Sequence, residues 1–369
     1  MIRDGVIAQH RDLIATMLRA HQFSFLARAP KDARLYRSNE RYIVRGVPTD
    51  KAAEAPASRF RVPGAENPQP VSFSVVVPTF NRGECLVETV RSVLEQSLAD
   101  FELIIVDDGS TDQTMQLLGR ISDGRLHVLH QENRGASAAR NAGALRATGE
   151  WLVFLDDDNA ALPGWLEHFR SFATDPRCGI VCCGVEFVDE NGAVLSIELP
   201  CNLGLIFENQ TGFFLAGTFA MRRELFEAVG GYAGELHAGE TTELAFRLVP
   251  HCLQTGYEIQ SVPAPGITIE QRDSRGRPSQ DPANLYAGAL YMLSHHEARI
   301  ARYPSALASY LSIAGVNAVR LGRNRDARRL LMRAAKAEPR NARCWARVAL
   351  AALPFVRSRV WHPAYGQPT

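Results

Sequence analysis

The alternation of apolar runs and helical patterns between residues 71 and 155 constrains this chain more than any other feature. FSVVV (73–77), ELIIV (102–106), RLHVL (125–129) and WLVFL (151–155) are short and rich in β-branched and aromatic residues, so each reads as a buried strand. Helical patterns fill the gaps, over Glu84–Gln96, Asp112–Ile121 and Ala136–Thr148. Parallel neighbours need a crossover long enough to hold a helix, so the βαβαβαβ order predicts a mostly parallel, Rossmann-like α/β sheet covered by helices. Ligands of such sheets sit outside the carboxyl ends of the strands. The polar clusters of this sequence fall there.

Downstream, from about Gly179 to Glu270, strand-like runs (Ile180–Val188, Phe213–Met221, Tyr257–Val262) surround an Asn191-Gly192 turn and helical patterns at Arg223–Val229 and Glu240–Thr255. This segment is expected to complete the sheet and to form an acceptor face. The last stretch, residues 299–369, reads as a helical appendage: Ala306–Leu321, a Gly322-Arg323-Asn324 turn, Arg325–Ala337 and Asn341–Ala352. Ala327, Leu330, Leu331 and Ala334 mark an apolar stripe at helical spacing, and Ala342, Trp345, Ala349 and Ala352 mark a second. The spacing is weakly tetratricopeptide-like, and a solenoid normally needs at least three repeats. Residues 1–70 form an N-terminal extension, with an amphipathic helix expected over Ile7–Leu26 and a linker marked by Pro48, Pro56, Pro63, Pro68 and Pro70. The chain thus divides into 1–70, a central domain at 71–298, and 299–369.

Composition removes several classes. With 369 residues, 46% hydrophobic and 22% charged, the chain has the make-up of a soluble globular protein. No apolar run approaches the roughly 18 residues that cross a bilayer, and acids interrupt the N-terminus where a signal peptide would be apolar, so a cytoplasmic location is expected. Seven cysteines without paired CxxC spacing predict reduced, mostly buried thiols. The formal net charge of +1 hides an asymmetry: residues 1–70 hold 12 Lys+Arg against 7 Asp+Glu, residues 71–298 hold 15 against 31, and residues 299–369 hold 14 against 2.

Asp156-Asp157-Asp158 closes WLVFL. Adjacent carboxylates repel one another unless a cation compensates them, and Mg²⁺ or Mn²⁺ accepts carboxylate and phosphate oxygens together. The plain alternative is a solvated acidic turn before the helix expected near Pro163. Asp107-Asp108-Gly109-Ser110-Thr111-Asp112 ends the second strand: half of it is explained by capping and a tight turn, leaving one carboxylate toward the crevice for a base or ribose. Val77-Pro78-Thr79-Phe80-Asn81-Arg82 leaves the first strand at the same edge. Asn133-Arg134-Gly135-Ala136-Ser137-Ala138-Ala139-Arg140-Asn141 opens the third helix, where small residues permit close packing and two arginines suit an anionic ligand.

In this order and spacing, VVVPTFNR, IIVDDGSTD, ENRGASAARN and FLDDDN resemble the motifs of glycosyltransferase family 2, the nucleotide-sugar-dependent transferases of the GT-A fold. The resemblance covers about residues 71–262 and implies a UDP-sugar-type donor, a divalent metal (Mn²⁺ or Mg²⁺) at the DxD-type triplet and inversion at the anomeric carbon. Carried over by position, it implies that Pro78, Thr79 and Asn81 line the nucleotide pocket, that Asp108 contacts the base, that Asp157 lies near ribose or sugar, and that Asp156 and Asp158 are metal carboxylates. It implies donor contacts for Arg134 and Arg140 as well.

Two departures from the family pattern stand out. The acceptor-side stretch LAGTFAMRRELFEAVGGY is followed by Gly239-Glu240-Thr241-Thr242-Glu243-Leu244, where the family commonly reads Gly-Glu-Asp-x-Glu-Leu with the Asp as general base. A neutral threonine cannot take an acceptor's proton at ordinary pH. Three explanations compete: Glu240 serves as base, Glu243 does, or the domain is a nucleotide-sugar-binding scaffold without efficient transfer. Second, Ile267-Thr268-Ile269-Glu270-Gln271-Arg272 lacks a histidine that many relatives place there, while His237, His251 and His295 lie elsewhere.

Other classes fit less well. A haloacid-dehalogenase-like phosphatase needs a downstream lysine, and none lies between residues 52 and 335; a dinucleotide-binding oxidoreductase needs G-x-G-x-x-G where this chain has PTFNRGE. The acceptor is open among glycan, lipid-linked and protein classes, surface polysaccharide or glycan synthesis being one setting, and the oligomeric state is open too. The basic end suits peripheral contact with an anionic membrane face or docking on the acidic body; nucleic acid is not expected, because aromatic residues are not interleaved with its arginines.

Overall fold

Alternating side chains in the first central strand decide how the molecule is layered. The structure is a computed structural model that describes residues 35–38, 41–44, 72–271 and 281–353. The helix expected over Ile7–Leu26 and the proline-marked linker lie outside the described residues. Within the N-terminal extension, β1 (Leu35–Ser38) and β2 (Arg41–Val44) pair as an antiparallel hairpin.

In β3 (Phe73–Thr79), Val76 joins one hydrophobic cluster while Val75 and Val77 join another, so the strand is buried on both faces. Parallel partners flank it: β4 (Phe101–Asp107) on one side and β6 (Trp151–Phe154) on the other, with β5 (Leu126–His130) beyond β4. The sequence reading of RLHVL as buried is corrected here. β5 is the edge strand, and Leu126 to His130 are partly or largely exposed.

Beyond β6 the direction reverses at β12 (Phe219–Arg222), which runs antiparallel to both β6 and β8 (Cys178–Val188). Next comes β13 (Glu258–Glu270), parallel to β8, and then β7 (Asn159–Ala161), with β9 (Val194–Glu198) paired to β8 off this path, while β10 (Cys201–Asn202) and β11 (Thr211–Gly212) pair with each other in a separate antiparallel ribbon. The expected strand over Phe213–Met221 is mostly a turn. Thr218 Oγ1 accepts from the Leu215 amide at 2.9 Å and shares its one proton between the Phe213 and Leu215 carbonyls, each at 2.9 Å, and Gly217 takes φ +85°, so pairing starts only at Phe219. Conversely, β13 runs eight residues past the expected Val262, carrying Pro263 and Pro265 through register shifts.

Helices α1 (Gly83–Leu94), α2 (Thr114–Leu118) and α4 (Trp165–Ala173) cover one face of the sheet. On the opposite face pack α3 (Ala136–Arg146), α5 (Arg223–Ala228), α6 (Glu240–Gln254) and the C-terminal helices. α3 comes close to the strands at Gly143, where a Cβ would stand 2.3 Å from Val76 Cγ1. α2 is five residues long, half the expected helix.

The C-terminal helices are α7 (Pro282–His295), α8 (Glu297–Ile300), α9 (Pro304–Arg320), α10 (Asn324–Ala337) and α11 (Ala342–Ala352). Their apolar residues continue the cluster formed by α6, and the Arg299 guanidinium lies over the rings of Phe207 and Phe246 at 5.5 and 5.4 Å. On α10 the expected stripe is buried. On α11 the expected one is not: Ala342, Trp345, Ala349 and Ala352 are exposed, and Cys344 and Ala351 face inward instead. Alanine carries little apolar area, so the side facing α10 is set by packing rather than by the pattern. Among the described residues no helix is long and apolar enough to cross a membrane. No disulfide joins the seven cysteines; five are buried, and burial pushes the thiols of Cys178, Cys182 and Cys252 up to about 12, where they stay protonated.

Candidate functional site

The chain leaves β3 toward β4 on one side and returns to β6 on the other, which opens a crevice between the carboxyl ends of β3 and β6. Thr79 ends β3, and its Oγ1 donates across this crevice to Asp157 Oδ2 at 2.7 Å. Arg82 Nη1 donates to Asp158 Oδ2 at 2.8 Å, while its Nε lies 4.0 Å from Asp157. The first and fourth motifs are thereby joined side chain to side chain.

Two polar residues of α1, Thr89 and Ser92, and Gln96 just past its end hold the acidic loop. Thr89 Oγ1 shares its one proton between the carbonyls of Asp157 (3.0 Å) and Asn159 (2.8 Å), Ser92 Oγ accepts from the Ala161 amide (2.9 Å), and Gln96 Nε2 donates to the Leu162 carbonyl (3.0 Å). Thr89 and Gln96 are buried, so these bonds replace the strand ladder that the loop lacks. Sequence reasoning missed them. Their signal is the i, i+3, i+7 spacing of polar residues along the helix and just past its end.

Arg140 comes up from α3 and is 4% exposed. Its Nη2 donates to Asp156 Oδ1 at 2.6 Å, its Nη1 meets Glu240 Oε1 at 3.3 Å, and its guanidinium lies 5.2 Å from the Tyr232 ring. Burial would lower the Arg140 pKa, but Asp156, Tyr232 and Glu240 outweigh it and raise it, so the residue is a fixed cation. Desolvation raises the Asp156 carboxyl despite Arg140, and raises that of Asp157 to about 6 despite Thr79 and Arg82. Arg140 thus joins the third motif to the fourth and both to the start of α6.

The second motif builds the adjoining wall. Asn81 adopts φ +54°, and its Oδ1 accepts from the amides of Thr111 (2.8 Å) and Asp112 (3.3 Å), clamping the 110–112 turn to the end of β3. Asp107 is fully buried and accepts from the Ser110 amide (3.0 Å), with His130 Nδ1 at 2.7 Å from its other oxygen. Asp108 is 3% exposed; its Oδ1 accepts from Gln131 Nε2 (2.7 Å) and the Arg134 amide (2.9 Å), and its Oδ2 from the Gly135 amide (2.7 Å). The carboxylate expected to face a ligand therefore holds the 131–135 loop. Gly109, at φ +83°, lets that loop pass, since a Cβ there would stand 3.0 Å from the Asn133 amide nitrogen. Pro78 is buried beside Thr79, whereas Arg134 is exposed.

Glu243 has a different fate from Glu240. It is 1% exposed, is bound by Arg247 through two hydrogen bonds, and accepts from His296 Nε2 at 3.0 Å. Burial would push its carboxyl up, but the bonds from Arg247 and His296 prevail and hold it at about 2. Glu240 begins α6 after Gly239 in the left-handed conformation and keeps a partly exposed side chain. Thr241 follows it, next to the Tyr232 hydroxyl, whose pKa burial raises. Of the histidines singled out in the sequence, His237 lies against Gly135, 3.1 Å from where its Cβ would be. His251 is in the last turn of α6, and His295 stacks on Tyr291 at 3.9 Å, so the fold does not gather the three. Residues 267–270 lie in β13, and Arg272 is outside the described residues.

Among the described residues, no three His, Cys, Asp or Glu side chains converge as a ready cation site. The donor chemistry nevertheless fits a cation shared with a ligand: the carboxylates of Asp156, Asp157, Asp158 and Glu240 gather at the crevice, with Arg82 and Arg140 among their partners. Oxygen donors of this kind suit Mg²⁺ or Mn²⁺ completed by phosphate and water.

A crevice of this composition at the switch point of a GT-A-like sheet has counterparts among known proteins. The model of "Glycosyl transferase family 2" matches residues 74–230, the segment that carries all four motifs. This segment is a family 2 glycosyltransferase domain. GlyG, a glycosyltransferase of Streptococcus pneumoniae, is 42% identical over 197 residues, covering 48% of this chain and 65% of that protein. TuaG of Bacillus subtilis, described as a putative teichuronic acid biosynthesis glycosyltransferase, is 38% identical over 125 residues, covering 33% of this chain and 50% of that one. The chain thus spans about half to two thirds of the length of these relatives. Among solved structures, Staphylococcus aureus TarS 1-349 in complex with UDP-GlcNAc superposes with a TM-score of 0.54 at 20% identity, covering 79% of this chain and 88% of that one. The likeness supports a GT-A-type fold for the family 2 domain.

Proposed function

We propose that the protein is a metal-dependent, inverting glycosyltransferase that moves a sugar from a UDP-sugar-type donor to an acceptor hydroxyl. The observation that carries this reading is the bridge from Asp156 through Arg140 to Glu240, which ties the acidic loop to the start of α6. The relatives named above, two bacterial glycosyltransferases and a fold neighbour solved with UDP-GlcNAc, support the donor class. TuaG's description makes surface polysaccharide synthesis the setting to examine first.

In this mechanism Pro78, Thr79 and Asn81 line the nucleotide end of the crevice, and Asp108 acts on the donor through the loop that bears Arg134. Arg134 offers an exposed cation to the diphosphate, and Asp157 faces ribose or sugar. Asp156 and Asp158 would hold Mn²⁺ or Mg²⁺, which when bound supplies positive charge to the departing diphosphate. Glu240 takes the proton of the acceptor hydroxyl as its oxygen bonds to the anomeric carbon from the face opposite the leaving UDP, so configuration inverts. Arg140 aims Glu240 through the 3.3 Å contact between them. Glu243, saturated by Arg247 and His296, is assigned to the framework.

Thr241 favours a second reading, a domain that binds nucleotide-sugar without transferring it. Titration of UDP-sugars with Mn²⁺, combined with an assay of released UDP, separates the two. Asp158→Ala is expected to abolish metal-dependent donor binding, while Glu240→Gln keeps binding and loses turnover. Turnover unchanged in Glu240→Gln removes Glu240 from the mechanism, and donor binding without any UDP release in the parent protein favours the binder.

A further inference from the structure

Outside the crevice, α10 carries a dense run of exposed cations. Its exposed residues are Arg325, Arg328, Arg329, Met332, Arg333 and Lys336, which recur at i, i+3, i+4, i+7, i+8 and i+11 and so form one stripe. At 1.5 Å per residue the stripe is about 17 Å long. Ala327, Leu330, Leu331, Ala334 and Ala335 are buried on the other side and fix the stripe outward. Among the described residues only two of the five cations have ion-pair partners, Arg329 with Asp326 at 3.1 Å and Arg333 with Glu297 at 3.0 Å. Both pairs are solvent-exposed and weak.

Apolar groups accompany the charge. Met332 sits inside the stripe at 37% exposure, and on and just after the neighbouring α11 Trp345 is 44% and Leu353 51% exposed. A nucleic-acid surface interleaves its cations with aromatic residues that stack on bases, and the α10 stripe has none. A lipid headgroup layer instead takes cations at phosphate level with aliphatic and tryptophan side chains entering the interface. We propose that α10 rests on an anionic phospholipid surface, its cations against lipid phosphates and Met332, Trp345 and Leu353 in the interface. If the transferase reading holds, this is where the acceptor is met. The surface itself does not depend on that reading, because binding is measured without donor or acceptor.

Co-sedimentation of the full chain with vesicles tests it. Vesicles of phosphatidylcholine mixed with phosphatidylglycerol are expected to pellet the protein in a salt-sensitive manner, and vesicles of phosphatidylcholine alone to leave it in solution. The triple change Arg325→Glu, Arg328→Glu and Lys336→Glu, which spares both ion pairs, is expected to weaken pelleting at least tenfold, roughly. Unchanged far-ultraviolet circular dichroism and UDP binding check that this variant is folded. If it fails to fold, the single changes Arg325→Gln and Arg328→Gln are expected to give graded losses. Trp345→Ala is expected to weaken binding to the anionic vesicles and to leave binding to soluble heparin unchanged. Equal pelleting on both vesicle types, no pelleting on either, or undiminished pelleting of the folded triple variant overturns the proposal. So does stripe-dependent binding to single-stranded RNA without vesicle binding.

Discussion

Glu240 and Glu243 stand one turn apart at the start of α6 and meet opposite surroundings. Glu240 opens toward the crevice, where a single arginine is shared between it and Asp156. Glu243 points to the helical layer, where Arg247 and His296 take up its oxygens. The difference teaches that a carboxylate's use follows from how fully its lone pairs are occupied, more than from the residue type or the motif around it. The crevice gathers four carboxylates, with Arg82 and Arg140 among their partners, a setting that would suit a cation and a diphosphate. In the helical layer Glu243 is fully taken up by its own partners.

Breaking this contrast at the crevice is expected to have the largest effect. Glu240→Gln should lower the rate of UDP release by about 10²–10⁴-fold while donor affinity in calorimetry is unchanged. Glu243→Ala reverses the outcome: it leaves Arg247 and His296 without their anion and should destabilise the fold by about 3–5 kcal/mol, read as a lower urea midpoint. A Glu243→Ala protein with full stability but little turnover would move the base to Glu243.

Acid sharpens the same comparison. The Glu243 carboxyl is held at about 2 against a usual 4.5, so its contribution is complete above pH 4.5 and is lost as the pH falls toward 2. The shift corresponds to about 3 kcal/mol, and urea midpoints measured down through this window should fall more steeply in the parent than in Glu243→Ala. Parallel curves would deny the pair its strength. The smallest effect is expected at α1, where Thr89→Val leaves the Asp157 and Asn159 carbonyls without their donor and should cost about 2 kcal/mol, visible as a lower melting temperature. Melting unchanged by Thr89→Val would mean that other groups hold the acidic loop.

The sheet from β3 to β6 and the position of every motif at its carboxyl edge were legible, because strands buried on both faces need continuous apolar runs and parallel strands need intervening helices. Three features were not. RLHVL is apolar enough for a core strand, but nothing local tells that it ends the sheet. The 213–218 segment has strand composition, yet Thr218 turns it by side-chain bonds to its own backbone. α7 lies beyond a stretch without a clear pattern, and its entry is set by Asp281 capping the Ala283 amide. In the site, sequence spacing brought the acidic triplet and the Thr79 loop into one neighbourhood, while the Arg140–Glu240 contact spans a hundred residues and is created by packing alone. The same limit left Glu240 and Glu243 equivalent on paper: only the fold says which of them His296 reaches.

The central claim is that the carboxylate-rich crevice binds a nucleotide diphosphate together with a divalent cation. Calorimetric titration of UDP with and without Mn²⁺, on the parent protein and on Asp158→Ala, tests it most directly. The account predicts binding that needs Mn²⁺ in the parent and at least a tenfold loss, roughly, in the variant. UDP binding of equal strength with and without Mn²⁺ in both proteins would contradict it.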